Sequence, residues 1–180
     1  MRLMLRRAAW LVVSWCAVAS TAHAQDIDRE YRLKAAYLYK FGTYVKWPKK
    51  AFRNADSPFV IGILGPNPVG EDLRKIASVK SIDGRPIQVR NWQQANQIRD
   101  CHILFMSRAV PNKTQQATIK ALSRRHILFV GETKDFLKNG GVVDFVVQQN
   151  RVRIYISQPA YKREKLDVSA HLLRIATVMK

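Results

Sequence analysis

The chain has 180 residues, 47% of them hydrophobic, with 31 Lys and Arg against 13 Asp and Glu for a formal net charge of +18. That length supports one domain with a substantial core and is too short for two comfortable ones. The basic balance favours anionic partners, such as phospholipid head groups, an acidic protein surface or a phosphorylated ligand.

Arg2, Arg6 and Arg7 precede an apolar run from Ala8 to about Ala19, and Ala22, His23 and Ala24 form a small-x-small cleavage signal. Residues 1–24 therefore read as a secretory signal peptide and residues 25–180 as the exported domain. Three arginines leave with that segment, so the mature chain keeps a net charge of about +15. Export argues against nucleic acid as the partner. The mature chain has no second run of about 18 apolar residues, so it is not expected to span a membrane. Of the two cysteines only Cys101 survives cleavage, which excludes an internal disulfide.

Tyr31, Ala35, Leu38, Phe41 and Val45 follow the spacing of one helical apolar stripe, and Leu33, Tyr37, Tyr44 and Trp47 lie along a second. A helix with two apolar faces is either enclosed by its own domain or shared with a partner, a second copy of the chain included. Gly42 in its middle costs about 1 kcal/mol against Ala unless something packs close to the backbone. Trp47 before Pro48 closes the helix.

From Phe59, FVIGILG reads as a buried strand, and PNPVGEDLRKIA as a helix capped by Asn67 with Pro68 in its first turn. The Asp83-Gly84 turn leads to a strand through Ile87 and Val89. CHILFMS at Cys101 to Ser107 and RHILFVG at Arg125 to Gly131 read as two buried parallel strands joined by a helix with Thr118, Ile119 and Leu122 at helical spacing. A short helix over Asp135 to Lys138, closed by Gly140 and Gly141, precedes a hairpin. Its first arm carries Val143, Phe145 and Val147 on one face, its turn Gln149 and Asn150, and its second arm Val152, Ile154 and Ile156. Pro159 starts a helical turn, and Ser169 caps a last helix with Leu172, Ile175, Ala176 and Met179 facing inward. The sum is a single α/β domain with a mixed, mostly parallel sheet of five to six strands and helices on both faces.

Chemistry is sparse. His102 and His126 occupy equivalent positions at the starts of the two HILF strands, which favours local hydrogen bonding over a paired-imidazole metal site. Gly65 and Gly70, with Pro66 and Pro68 between them, lead from the first long strand into a helix. Gly131 stands at the end of another strand, so the three could outline a small-molecule site, although the spacing matches no phosphate loop and a plain strand-to-helix turn explains it as well. No nucleophile elbow and no carboxylate pair recur at the strand ends, so no catalytic residue, cofactor or metal is expected.

Three blocks, KAAYLYKFGTYVKWP at Lys34 to Pro48, CHILFMS at Cys101 to Ser107, and GGVVDFVVQQNRVRIYIS with VSAHLLRIA between Gly140 and Ala176, together resemble the YfiR family of exported bacterial proteins. The likeness runs from about Glu30 to Met179. It implies a non-catalytic periplasmic regulator that binds the periplasmic sensor part of an inner-membrane diguanylate cyclase, lowering cyclic di-GMP and restraining biofilm formation. A periplasmic small-molecule sensor acting on another membrane signalling partner is the alternative. Some members of that family carry disulfides that link stability to redox state, and Cys101 has no mate for one. Arg153 and Tyr155 alternate with the inward Ile154 and Ile156. With Met179 and Lys180 they make the expected partner surface, and Tyr44 and Trp47 a second patch.

Overall fold

The computed structural model describes residues 26–180; the expected signal peptide lies outside the described residues. Helix α1 spans residues 26–44, and its first stripe is inside as the spacing predicts, with Ala35, Leu38 and Phe41 fully buried. The helix stops three residues before Trp47. Val45 and Lys46 instead form β1, antiparallel to Val168 and Asp167 of β9 (Asp167–Val168). Those ladder bonds, together with the Ser169 amide donating to the Tyr44 carbonyl at 2.9 Å, end the helix before the proline can.

The main sheet contains eight strands rather than five or six. In chain order they are β2 (Phe59–Leu64), β3 (Ser81–Ile82), β4 (Arg85–Trp92), β5 (Ile103–Met106), β6 (Leu128–Gly131), β7 (Val143–Gln148), β8 (Arg151–Ser157) and β10 (Thr177–Met179). Their spatial order is β10-β8-β7-β6-β5-β2-β4-β3. Strands β4, β2, β5, β6 and β7 are mutually parallel, β8 returns antiparallel, and β10 runs parallel to β8. The two additional strands are only two and three residues long, too short for a period of two to register. Backbone pairing alone recruits them: β3 through the Asp83-Gly84 turn, where both residues have positive φ, and β10 by lying along β8.

Helix α2 (Gly70–Ala77) links β2 to β4, and α3 (Asn112–Leu122) links β5 to β6 in the opposite direction across the sheet. Right-handed crossovers therefore put these helices on opposite faces. Helix α1 covers the face that carries Phe145, whose ring centroid lies 5.7 Å from that of Phe41.

Three further expectations are corrected. Helix α2 begins at Gly70 with Val69 as its cap residue, and the Asn67 side chain lies where a Gly70 Cβ would stand instead of capping. Residues 134–140 form a turn, not a helix, because Asp135 takes a left-handed conformation and the Phe136 ring packs beneath Gly131 and Gly141. The last helix, α5 (Ala170–Ile175), has its Ser169 cap, but only Leu172 of the expected inward stripe is buried. Ile175 and Met179 are exposed because the chain beyond the helix is drawn into the sheet as β10. Between β8 and β9, α4 (Gln158–Arg163) has Pro159 in its first turn as expected, with Ser157 as its cap. Among the described residues no helix is long and apolar enough to cross a membrane.

Gly42 meets the condition set by its sequence position. A Cβ there would lie 2.3 Å from Ile82 Cδ1, so the clash outweighs the roughly 1 kcal/mol of helix propensity that Ala offers. Gly42→Ala is expected to destabilise the fold by about 1–2 kcal/mol in urea denaturation. Ile82→Val removes the obstructing methyl, so in that background the penalty should shrink; an equal penalty would place the cause elsewhere.

Candidate functional site

The alternation of β8 turns Arg153 and Tyr155 to one side, Arg153 exposed and Tyr155 half-buried. Thr177 of β10 is in register with Tyr155 and Met179 with Ser157, which brings the 47% exposed Met179 side chain onto the same face. Across β7, Asp144 stands beside Tyr155 and Val146 beside Arg153. Lys180 follows Met179 and is exposed. The structure thus joins Arg153, Tyr155 and Met179 on one continuous surface. It puts Tyr44 and Trp47 elsewhere, at the far end of α1. The Tyr44 ring lies 4.8 Å from that of His171, and Trp47 meets Phe59 edge-on while its indole N–H donates to the His126 carbonyl at 2.8 Å.

At the carboxyl ends of β5 and β6, where open α/β sheets usually place their sites, lies a cluster that the sequence reading missed. Lys34 is fully buried, and its ammonium is bound by Glu30 one turn earlier and by Glu132 immediately after β6. Arg108, just beyond β5, reaches both carboxylates; its guanidinium is 3.3 Å from Glu132, and its backbone N–H donates to Glu132 at 2.8 Å. The Tyr31 hydroxyl donates to Glu132 at 3.2 Å, and burial together with that carboxylate pushes the phenol up to about 12, so it remains a donor. Burial opposes the charge on Glu30, but Lys34 and Arg108 outweigh it and hold the carboxyl below its ordinary value. One sequence signal could have found the cluster. Lys34, Leu38, Phe41 and Val45 share the apolar spacing, so a lysine occupies a core position of α1.

Beside the cluster is a cavity of about 480 Å³, lined by Lys34, Glu132, Asp144 and Phe145 among others. Asp144 is 8% exposed, its Oδ1 has no hydrogen-bond partner, and burial pushes its carboxyl up to about 6. Gly65, Gly70 and Gly131 do not line this cavity. Gly65 has a left-handed φ of 82°, Gly70 makes room for Asn67, and Gly131 makes room for Phe136.

The remaining reactive groups are in quiet surroundings. His102 accepts the Val60 amide proton at Nδ1, so its Nε2–H faces the Ala51 carbonyl at 3.2 Å. Burial pushes this imidazole down to about 4 and keeps it neutral. Ile103 pairs with Leu128, so the two HILF segments are one residue out of register and His102 stands level with Ile127 rather than His126. Among the described residues no group of three His, Cys, Asp or Glu side chains is placed to hold a metal. Cys101 is buried and its thiol is pushed up to about 12, which leaves almost no thiolate to react.

Lys34→Met removes a buried ammonium from between two carboxylates and should cost about 3–5 kcal/mol in urea denaturation. Adding Glu132→Leu should recover part of it, and a loss below 1 kcal/mol would show that the cluster is solvated in solution. Asp144 gives a separate signature. Its carboxyl holds a proton in the fold that the unfolded chain releases from about pH 4, so its stabilising effect is complete at low pH and fades as pH rises through about 6. Stability of the wild type minus that of Asp144→Asn should therefore fall by up to about 3 kcal/mol across that window. A pH-independent difference would mean an ordinary pKa.

A search of curated proteins gives no match to the chain. The family model described as YfiR/HmsC-like matches residues 31–177, from the first turns of α1 to the start of β10. That span takes in Tyr31, Lys34, Arg108 and Glu132 of the buried cluster, both HILF strands and Arg153 and Tyr155, and the chain belongs to the YfiR/HmsC-like family.

Proposed function

We propose that this protein is exported by removal of residues 1–24 and works in the periplasm as a regulatory binding protein. In this reading it represses an inner-membrane diguanylate cyclase by binding the cyclase's periplasmic sensor region, so that cyclic di-GMP falls and biofilm formation is restrained. The observation that carries the reading is the YfiR/HmsC-like match across residues 31–177. The surface of Arg153, Tyr155 and Met179 supports it, because Arg and aromatic side chains dominate interface energies. No catalytic step is needed: a partner that binds the inactive arrangement better shifts the cyclase equilibrium by its differential affinity alone.

The test is a pair of measurements on cells carrying Arg153→Ala together with Tyr155→Ala. Cyclic di-GMP and biofilm mass should rise towards the level of a strain lacking the protein, while the purified variant melts within a few degrees of the wild type. Unchanged repression would remove this face from the assignment. A pull-down from host membranes with the mature protein as bait should retain a cyclase with a periplasmic domain; recovery of a different class of membrane protein would overturn the partner.

A further inference from the structure

At the amino ends of the parallel strands, opposite the Lys34 cluster, the loops leading into β5 and β6 face the turn at Lys49–Ala51 across a cleft of about 300 Å³. Lys50, Arg53, Arg124, Arg125 and His126 line it, with Phe52 at the side. Its one acidic side chain, Asp100, is held by Arg53 at 2.7 Å. Among the described residues Lys50, Arg124 and Arg125 make no ion pair. Three cations thus converge on one hollow without an anion to match them, in a protein already strongly basic.

Two further observations separate this cleft from an ordinary solvated surface. His126 is 8% exposed and clamped at both ends, with Nδ1 2.8 Å from the Glu164 carbonyl and its own carbonyl accepting the Trp47 indole proton at 2.8 Å. A carbonyl can only accept, so Nδ1 carries a proton and Nε2 is the ring nitrogen left for a ligand. Asp100, Arg124 and His126 also all take left-handed backbone conformations, with φ of 45°, 64° and 62°. Such conformations are uncommon in non-glycine residues, and five others occur at turns elsewhere among the described residues. Here they turn the two loops so that neighbouring side chains meet over the hollow.

We propose that this cleft binds a phosphate group, carried either by a free phosphate ester or by the head group of an anionic phospholipid. Arg124 and Arg125 supply forked donors that match phosphate oxygens, and Lys50 adds a mobile point charge. His126 Nε2 is the ring nitrogen left to hydrogen-bond the ligand. This site does not depend on the partner surface of β8 and β10, so either assignment can fail without the other.

The experiment compares the mature wild type with Arg124→Gln/Arg125→Gln and with a charge-matched control, Arg29→Gln/Arg151→Gln. Each is titrated with inorganic pyrophosphate at constant ionic strength, followed by thermal shift, and sedimented with phosphatidylglycerol vesicles and with neutral phosphatidylcholine vesicles. A site in the cleft gives saturable binding to at least one phosphate probe that weakens about tenfold or more in the cleft variant and stays at the wild-type level in the control. Pyrophosphate stabilisation without vesicle binding assigns a free ester; vesicle binding with little response to pyrophosphate assigns the lipid head group. Equal weakening in both double variants would reduce the effect to net charge, and binding that persists in the cleft variant, or no binding to either probe by the wild type, would overturn the proposal. Lys50→Gln, which alters no strained backbone, repeats the test should the double variant fail to fold.

Discussion

The buried ammonium of Lys34 is the constraint on which the rest of the arrangement depends. A charge with no access to water must find its counter-charges within the protein, and here one lies on the same helix and the other at the end of β6, 98 residues away. Glu132 in turn takes the amide and guanidinium of Arg108 after β5. One lysine thereby ties α1 to the carboxyl ends of two adjacent strands. Moving the helix by one turn, about 5.4 Å along its axis, would separate Lys34 from Glu132 and leave it with Glu30 alone, so the polar cluster sets the register that apolar packing alone would leave loose.

That register carries through the core. With its amino end fixed over Glu132, α1 presents Leu38 and Phe41 to the sheet face bearing Phe105 and Phe145, and it brings Gly42 against Ile82 at the far edge. Its last turn then meets β9 through β1, so the segment after α4 closes over the amino end of the sheet. From there the chain passes through α5 to β10 and completes the surface on which Arg153 and Tyr155 lie. The proposed partner face and the charge cluster are thus two ends of one packing sequence.

What the sequence made legible follows from local physics. The HILF strands are continuous apolar runs because both faces are covered, and the hairpin alternates around the Gln149-Asn150 turn, whose two positive φ values suit Asn-type turns. Cys101 could be read as unpaired because the other cysteine, Cys16, lies in the expected signal peptide. The features that stayed hidden depend on distant partners. Glu30 and Lys34 look like a surface pair at i,i+4 until Glu132 arrives from elsewhere in the chain. Thr177–Met179 carries no signal of its own and becomes a strand only because β8 offers an open edge. Asn67 resembles a helix cap, yet its side chain occupies the space left by Gly70.

His102 and Asp144, buried at opposite ends of the sheet, have a joint effect on proton balance. Asp144, pushed up to about 6, keeps a proton in the fold that the unfolded chain gives up near pH 4. His102, pushed down to about 4, refuses in the fold a proton that the unfolded chain accepts near pH 6.5, so its contribution is present above that pH and is lost as pH falls towards 4. Between these limits one site binds one proton more than the unfolded chain and the other one proton fewer. For this pair the proton count hardly changes on folding, so mild acidification leaves the balance between folded and unfolded chain almost untouched, although the fold takes up its proton at Asp144 and the unfolded chain takes up its own at His102.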